Sequence, residues 1–131
     1  MPHLTALVTV LAISFYFYTG VRVPLARRRF GLSAPAITGP PEFERIFRVQ
    51  LNTLEWMPIF LPLMWLFAYF ISDAGAAALG VLWIAARIWY MVGYTAAAEK
   101  RGPGFGLQAL VCGVLLIGVL VGIIGTFMHG G

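Results

Sequence analysis

Four stretches of this chain carry almost no charge: Leu4 to Val21, Trp56 to Ser72, Ala74 to Ala98 broken only by Arg87, and Gly104 to Met128. A helix needs about 20 mostly apolar residues to cross a hydrocarbon core of roughly 30 Å. The second and third stretches reach that length only if they take charged residues in with them. With 60% hydrophobic and 11% charged residues, the composition lies outside the soluble globular range. The chain reads as an all-α integral membrane protein, an antiparallel four-helix transmembrane bundle. It forms a single domain over residues 1–131, with helices near 3–26, 42–72, 75–101 and 104–128.

The distribution of charge sets orientation and excludes one class of partner. Arg22 and Arg27 to Arg29 follow the first apolar run instead of preceding it, and no small-residue cleavage site is evident. The first run is therefore expected to be a retained helix and not a signal peptide. The net charge is +4, but the basic residues form no stripe interleaved with aromatics on a soluble surface, which argues against nucleic acid. They cluster at Arg27-Arg28-Arg29 and at Lys100-Arg101. These follow helices one and three and so share one side, and the positive-inside rule assigns loops 27–41 and 99–104 to the cytoplasm.

Helix boundaries are marked by residue type. Pro35, Gly39, Pro40 and Pro41 make the first loop irregular, and Glu42 and Glu44 suit the positive end of a second helix. Ser72 to Gly75 reads as a tight turn that makes helices two and three antiparallel neighbours. Gly102-Pro103-Gly104 is expected to stop a third helix that continues through Ala96 to Arg101, since those residues are good helix formers. Pro58 and Pro62 lie inside helix two and free the carbonyls of Leu54 and Pro58, which predicts a kink.

Polar groups enter the apolar pattern on two helix faces. Arg48, Asn52 and Glu55 are spaced i, i+4 and i+7, so they share one face of helix two. Arg87, Tyr90 and Tyr94 share one face of helix three, and Arg101 extends it if the helix continues. With a turn centred near residues 73 and 74, Glu55 lies level with residue 92 and Arg87 roughly 7 to 8 Å from it along the axis. A charge at membrane depth costs several kcal/mol unless it is paired or lines a wet cavity. Either these groups grip a small zwitterion, or Glu55, Arg48 and Arg87 satisfy one another as an ion cluster.

Other features read as structural. Cys112 is the only cysteine and lies in an uncharged run as a small hydrophobe, which leaves no disulfide or metal framework within one chain. His3 and His129 stand at the chain ends and are assigned no role. Gly118 and Gly122 form a GxxxG, which allows close helix contact and could serve a subunit interface. Trp65, Tyr69, Trp83 and Trp89 are candidate interfacial anchors.

The segments Arg27-Arg28, Thr38-Gly39-Pro40-Pro41-Glu42-Phe43-Glu44-Arg45, Arg48-Val49-Gln50-x-Asn52-x-x-Glu55, Ala86-Arg87-x-x-Tyr90-x-x-Gly93-Tyr94 and Arg101 together resemble the MAPEG superfamily of membrane proteins of eicosanoid and glutathione metabolism. The resemblance implies a four-helix protomer in a homotrimer, with glutathione as co-substrate between neighbouring protomers. It implies that Arg48, Asn52, Glu55, Arg87, Tyr90 and Tyr94 line the pocket from one protomer. Arg27, Gln50 and Arg101 would approach from an adjacent protomer or the rim. Arg101 matches the arginine that stabilises the glutathione thiolate in the family, and Arg28 matches a second candidate. Trp56 stands at the binding position where part of the family has tyrosine, which alters one contact there.

The chemistry suits these residue types. A thiol attacks as its thiolate, and a free thiol with a pKa near 8.5 is mostly protonated at neutral pH. A guanidinium remains charged and cannot act as the base, so an arginine helps by favouring the anion. Arginines also suit the carboxylates of glutathione and Glu55 its ammonium. The second substrate, a lipophilic electrophile or lipid hydroperoxide, would arrive from membrane lipid. Two alternatives keep four helices without this chemistry. One is a non-catalytic lipid-binding accessory protein of the same fold, which has little need of a zwitterion site. The other is a small multidrug transporter, which typically carries a glutamate in its first helix, whereas the first helix here has no acidic residue.

Overall fold

The computed structural model describes residues 1–130. Four long helices account for nearly all of them: α1 (His3–Arg29), α2 (Pro41–Phe70), α3 (Asp73–Ala96) and α4 (Gly102–Met128), with a short 3₁₀ turn at Ala98–Arg101 between α3 and α4. Each long helix, α4 taken together with that turn, is long and apolar enough to cross a membrane. α2 and α3 pack against each other and against both outer helices, so α1 and α4 flank a central α2–α3 pair. Large apolar side chains such as Leu7, Phe17, Val92 and Ile117 stay exposed on the outside. In water that would be an aggregation surface; in a bilayer it is the lipid face.

The core is built from aromatic stacking and a few buried polar pairs. Phe60 of α2 lies flat against Trp83 of α3, with ring centroids 3.9 Å apart. Trp83 was a candidate interfacial anchor, but it is fully buried and donates its indole N–H to Gln108 Oε1 of α4 at 3.0 Å. An indole can sit in a core when its N–H finds a partner, and Gln108 supplies it. Cys112 is buried beside it in the same cluster.

The α2–α3 link falls earlier than the sequence implies. α2 runs through Pro58 and Pro62 without interruption to Phe70, and only Ile71 and Ser72 separate it from α3. Ser72 caps α3 by accepting the Gly75 N–H at 2.9 Å, a role suited to a serine at a helix start. Asp73 also reaches across to α1. Its carboxylate accepts the N–H groups of Thr5 at 2.9 Å and Leu4 at 3.2 Å, two donors that the first turn of α1 leaves without helical partners.

The other end of α3 departs most from expectation. The helix stops at Ala96, Ala97 is extended (φ −163°, ψ 139°), and the chain turns through Ala98–Arg101 into α4. Two glycines explain why tertiary contact overrides the helix propensity of this segment. The Lys100 carbonyl rests on Gly93, where a Cβ would collide with it, and Gly104 brings α4 against the backbone of Tyr90 with no room for a side chain. Close docking of α4 onto α3 thus requires an early stop. The Gly118 and Gly122 pair is also used inside the protomer: it packs against Phe67 and Phe70 of α2 and Ile71 of the link that follows.

Candidate functional site

At this end of the bundle the polar faces of α2 and α3 meet. Arg48, Leu51, Asn52 and Glu55 from α2, Tyr90 and Tyr94 from α3, and Arg101 from the 3₁₀ turn line one cavity of about 210 Å³. A second cavity of about 420 Å³ adjoins it, shares Asn52, Tyr90 and Arg101, and adds Gly102 and Phe105 of α4. The early stop of α3 brings Arg101 to this place. A continued helix would carry Arg101 about 10 Å beyond Tyr94 along the axis; the turn instead keeps it beside the Tyr94 ring.

The walls divide by chemistry. Arg48, Glu55 and Arg101 are exposed at the cavity, while Tyr90 and Tyr94 are buried along its floor. The two tyrosine rings meet edge to face at 5.5 Å, and the Arg101 guanidinium carbon lies 5.5 Å from the Tyr94 ring centre. A cation over a phenol face is held without being neutralised. Phe105 packs at 6.1 Å from Tyr90 and takes the edge of Trp56 at 5.6 Å. Trp56 therefore braces the wall of the larger cavity from behind and does not line the polar one.

Arg87 has a different place from the one its spacing suggested. Its side chain is completely buried below the cavity. It donates to Asn52 Oδ1 at 2.8 Å and Thr53 Oγ1 at 2.7 Å, and its guanidinium carbon lies 4.5 Å from the Tyr90 ring centre. The link at Ile71–Ser72 shifts the register of α3 against α2, and the long Arg87 side chain reaches on to Asn52 and Thr53 instead of lying several residues beyond Glu55. Among the described residues no ion pair joins Arg48, Glu55 and Arg87, so the alternative of a self-satisfied ion cluster does not form. Because Arg87 occupies the amide oxygen of Asn52, the amide NH₂ is the group left to face the cavity.

Three predicted residues lie elsewhere in the chain. Arg27 donates to the Ala36 carbonyl at 2.9 Å and lies over the Phe43 ring, Arg28 is exposed at the end of α1, and Gln50 packs beside Gly20 of α1. All three are on the α1 side of α2, away from the cavity of their own protomer. Sequence reasoning missed Leu51, Thr53 and Phe105. Thr53 had a signal, a hydroxyl beside Asn52 in an apolar helix; Leu51 and Phe105 had none beyond their apolar character.

Four lipid-facing helices define a multi-pass integral membrane protein, and a guanidinium-rich cavity opens at one end of the bundle. The MAPEG family signature covers residues 5–121, and the chain belongs to that family, as its motifs implied. It is 40% identical to microsomal glutathione S-transferase 2 of Mus musculus over 126 residues, which is 96% of this chain and 86% of the relative. It is 36% identical to leukotriene C4 synthase of Bos taurus over 125 residues, 95% of this chain and 83% of the relative. An uncharacterized protein from Synechocystis sp. is 45% identical over 119 residues, 91% of this chain and 87% of that protein.

Proposed function

We propose that the protein is a membrane glutathione transferase that stabilises the glutathione thiolate for attack on a lipophilic electrophile. The observation that carries this reading is the convergence of Arg48, Asn52, Glu55, Tyr90, Tyr94 and Arg101 on one cavity. One relative is named for glutathione transfer and another for leukotriene C4 synthesis. Glutathione presents two carboxylates, an ammonium and a thiol. Arg48 suits a carboxylate, Glu55 the ammonium, and the Asn52 amide a carbonyl or carboxylate oxygen.

Arg101 is the residue for the sulfur. It is exposed at the rim, lies beside Gly102 at the positive end of α4, and borders both cavities. A fixed positive charge there favours loss of the thiol proton to water. The thiolate sulfur then forms a bond to an electrophilic carbon in the larger cavity, and the displaced electron pair leaves on the departing group or on an epoxide oxygen that takes a proton from water. With a lipid hydroperoxide the thiolate would attack the terminal peroxide oxygen, the O–O bond breaking to release the lipid alcohol. A second glutathione would then convert the resulting sulfenic acid to the disulfide with loss of water. Arg27, Gln50 and the second thiolate candidate Arg28 sit on the α1 side of the chain. In a homotrimer that flank of one protomer would close the cavity of the next.

The test is a spectroscopic titration of the purified protein with glutathione, following thiolate absorbance. Arg101→Ala should cut turnover by about 10²-fold, equivalent to roughly 2.7 kcal/mol, and should abolish the thiolate signal at neutral pH while changing glutathione affinity much less. Full turnover in Arg101→Ala would move the role to Arg28. Full turnover in both alanine variants would discard thiolate stabilisation by these arginines, whereas a wild-type protein with neither turnover nor thiolate signal would favour a lipid-binding accessory role.

A further inference from the structure

The flank of α1 turned away from Gln50 carries two arginines that the site does not use. Gly20 faces Gln50, and Arg22, two residues on, points to the other side of the helix. Arg22 and Arg29 are two turns apart on one face, about 10 Å along the axis. With Leu25, Ala26 and Ile46 they line a cavity of about 220 Å³. Arg22 also borders a second cavity of about 370 Å³ between α1 and α3, walled by Tyr18, Met91, Val92 and Ala96. One guanidinium thus stands between a basic recess near the end of the helix and an apolar groove running toward mid-membrane.

Nothing in the chain balances these charges locally. No acidic residue lines either cavity, and no Asp or Glu occurs before Glu42. The guanidinium carbons lie 5.9 Å from the Tyr18 ring for Arg22 and 5.0 Å from the Phe30 ring for Arg29, contacts that hold a cation but leave its charge. Arg22 is partly buried just past the apolar run, two turns before the end of α1, where a guanidinium is stable only if it reaches the interface or meets an anion. Tyr18, Leu25 and Val92 are all more than half exposed on the lipid face, so the anion that arrives there comes with an acyl chain. Juxtamembrane arginines attract anionic lipid for the same reason.

We propose that this groove binds one anionic phospholipid, its phosphate between Arg22 and Arg29 and one acyl chain laid along Met91 and Val92. The test titrates the full-length protein in neutral detergent with phosphatidylglycerol and counts retained lipid by native mass spectrometry. Arg22→Gln/Arg29→Gln should weaken retention roughly 30-fold, the effect of two surface arginines, while Arg22→Lys/Arg29→Lys should keep most of it. Arg29→Gln alone, at an exposed position, gives an intermediate loss and serves if the double variant does not fold. Lys100→Gln, a basic position at the same end but outside the groove, should leave retention unchanged. An equal loss in Lys100→Gln would mean a diffuse surface charge and overturn the site, as would equal retention of phosphatidylcholine. Displacement by millimolar glycerol phosphate would make it a free-anion site instead. A change of oligomeric mass in the double variant would show that a second copy covers the groove, which also overturns the proposal.

Discussion

Arg87 and Arg101 flank the same cavity and are held in opposite ways. Arg87 is sealed in the bundle, Nη1 donating to Asn52 and Nη2 to Thr53 while its Nε–H has no partner, and its guanidinium carbon lies near the Tyr90 ring centre. Arg101 stands on a 3₁₀ turn at the rim, exposed, with only the Tyr94 face beneath it. A guanidinium sealed away from the cavity shapes its neighbours and has little to offer a ligand. An exposed one beside a cavity keeps its donors and its charge for whatever enters. The difference separates positioning from binding within a few ångströms of the same wall.

The largest effect expected from breaking this contrast is at Arg87. Arg87→Ala opens a cavity under Tyr90 and strips partners from Asn52 and Thr53, and should cost on the order of 3 kcal/mol of stability. Arg87→Met refills the volume without the charge, and replacing a buried ion by an apolar side chain of similar size is often close to neutral. Thermal denaturation in detergent should therefore show Met recovering most of the lost stability. Glutathione affinity, measured calorimetrically, should remain weakened in Arg87→Met, because Asn52 is then free to rotate. Equal recovery of both would reduce Arg87 to a core-filling role, and the contrast with Arg101 would vanish.

A smaller effect tests the exposed side of the comparison. Glu55→Ala removes the only acidic side chain lining the polar cavity and should weaken glutathione binding by on the order of 2 kcal/mol while leaving the fold unchanged by circular dichroism. Des-amino glutathione, which lacks the ammonium, should bind the wild type and the variant alike. If the variant lost affinity equally for both ligands, Glu55 would be shaping the site and not contacting the ammonium.

Much of this arrangement was legible before any coordinates. Uncharged runs identify spans because hydrocarbon leaves a backbone few alternatives to a helix, and the 3.6-residue period put Arg48, Asn52 and Glu55 on the face where they are found. What was not legible depends on contacts between helices. Ala96 to Lys100 is a good helix by propensity, yet the helix stops there because the 3₁₀ turn packs on Gly93 and α4 docks through Gly104. The partners of Arg87 depend on the position of the α2–α3 link, and a shift of two residues in its centre changes the facing position by four residues, about 6 Å along the axis. Trp83 carries the same residue type as an interfacial anchor, and only Gln108, 25 positions away, makes it a core residue.

The smallest effect belongs to the opposite end of the molecule, where the polar groups serve structure. Asp73 accepts two N–H groups from the first turn of α1 and holds that helix to the start of α3. The Thr5 hydroxyl also donates to the Asp73 carbonyl at 3.3 Å, a bond that a side-chain substitution leaves intact. Asp73→Ala should therefore loosen the α1 terminus without detaching it. Hydrogen exchange at the Leu4 and Thr5 amides should quicken, whereas amides in the middle of α2 and α3 should keep their protection. Glutathione affinity and turnover should stay at wild-type levels, since the cavity lies at the far end of α3. A loss of activity in Asp73→Ala with the core amides still protected would mean that the two ends communicate along α3, and that the site depends on where α1 is anchored.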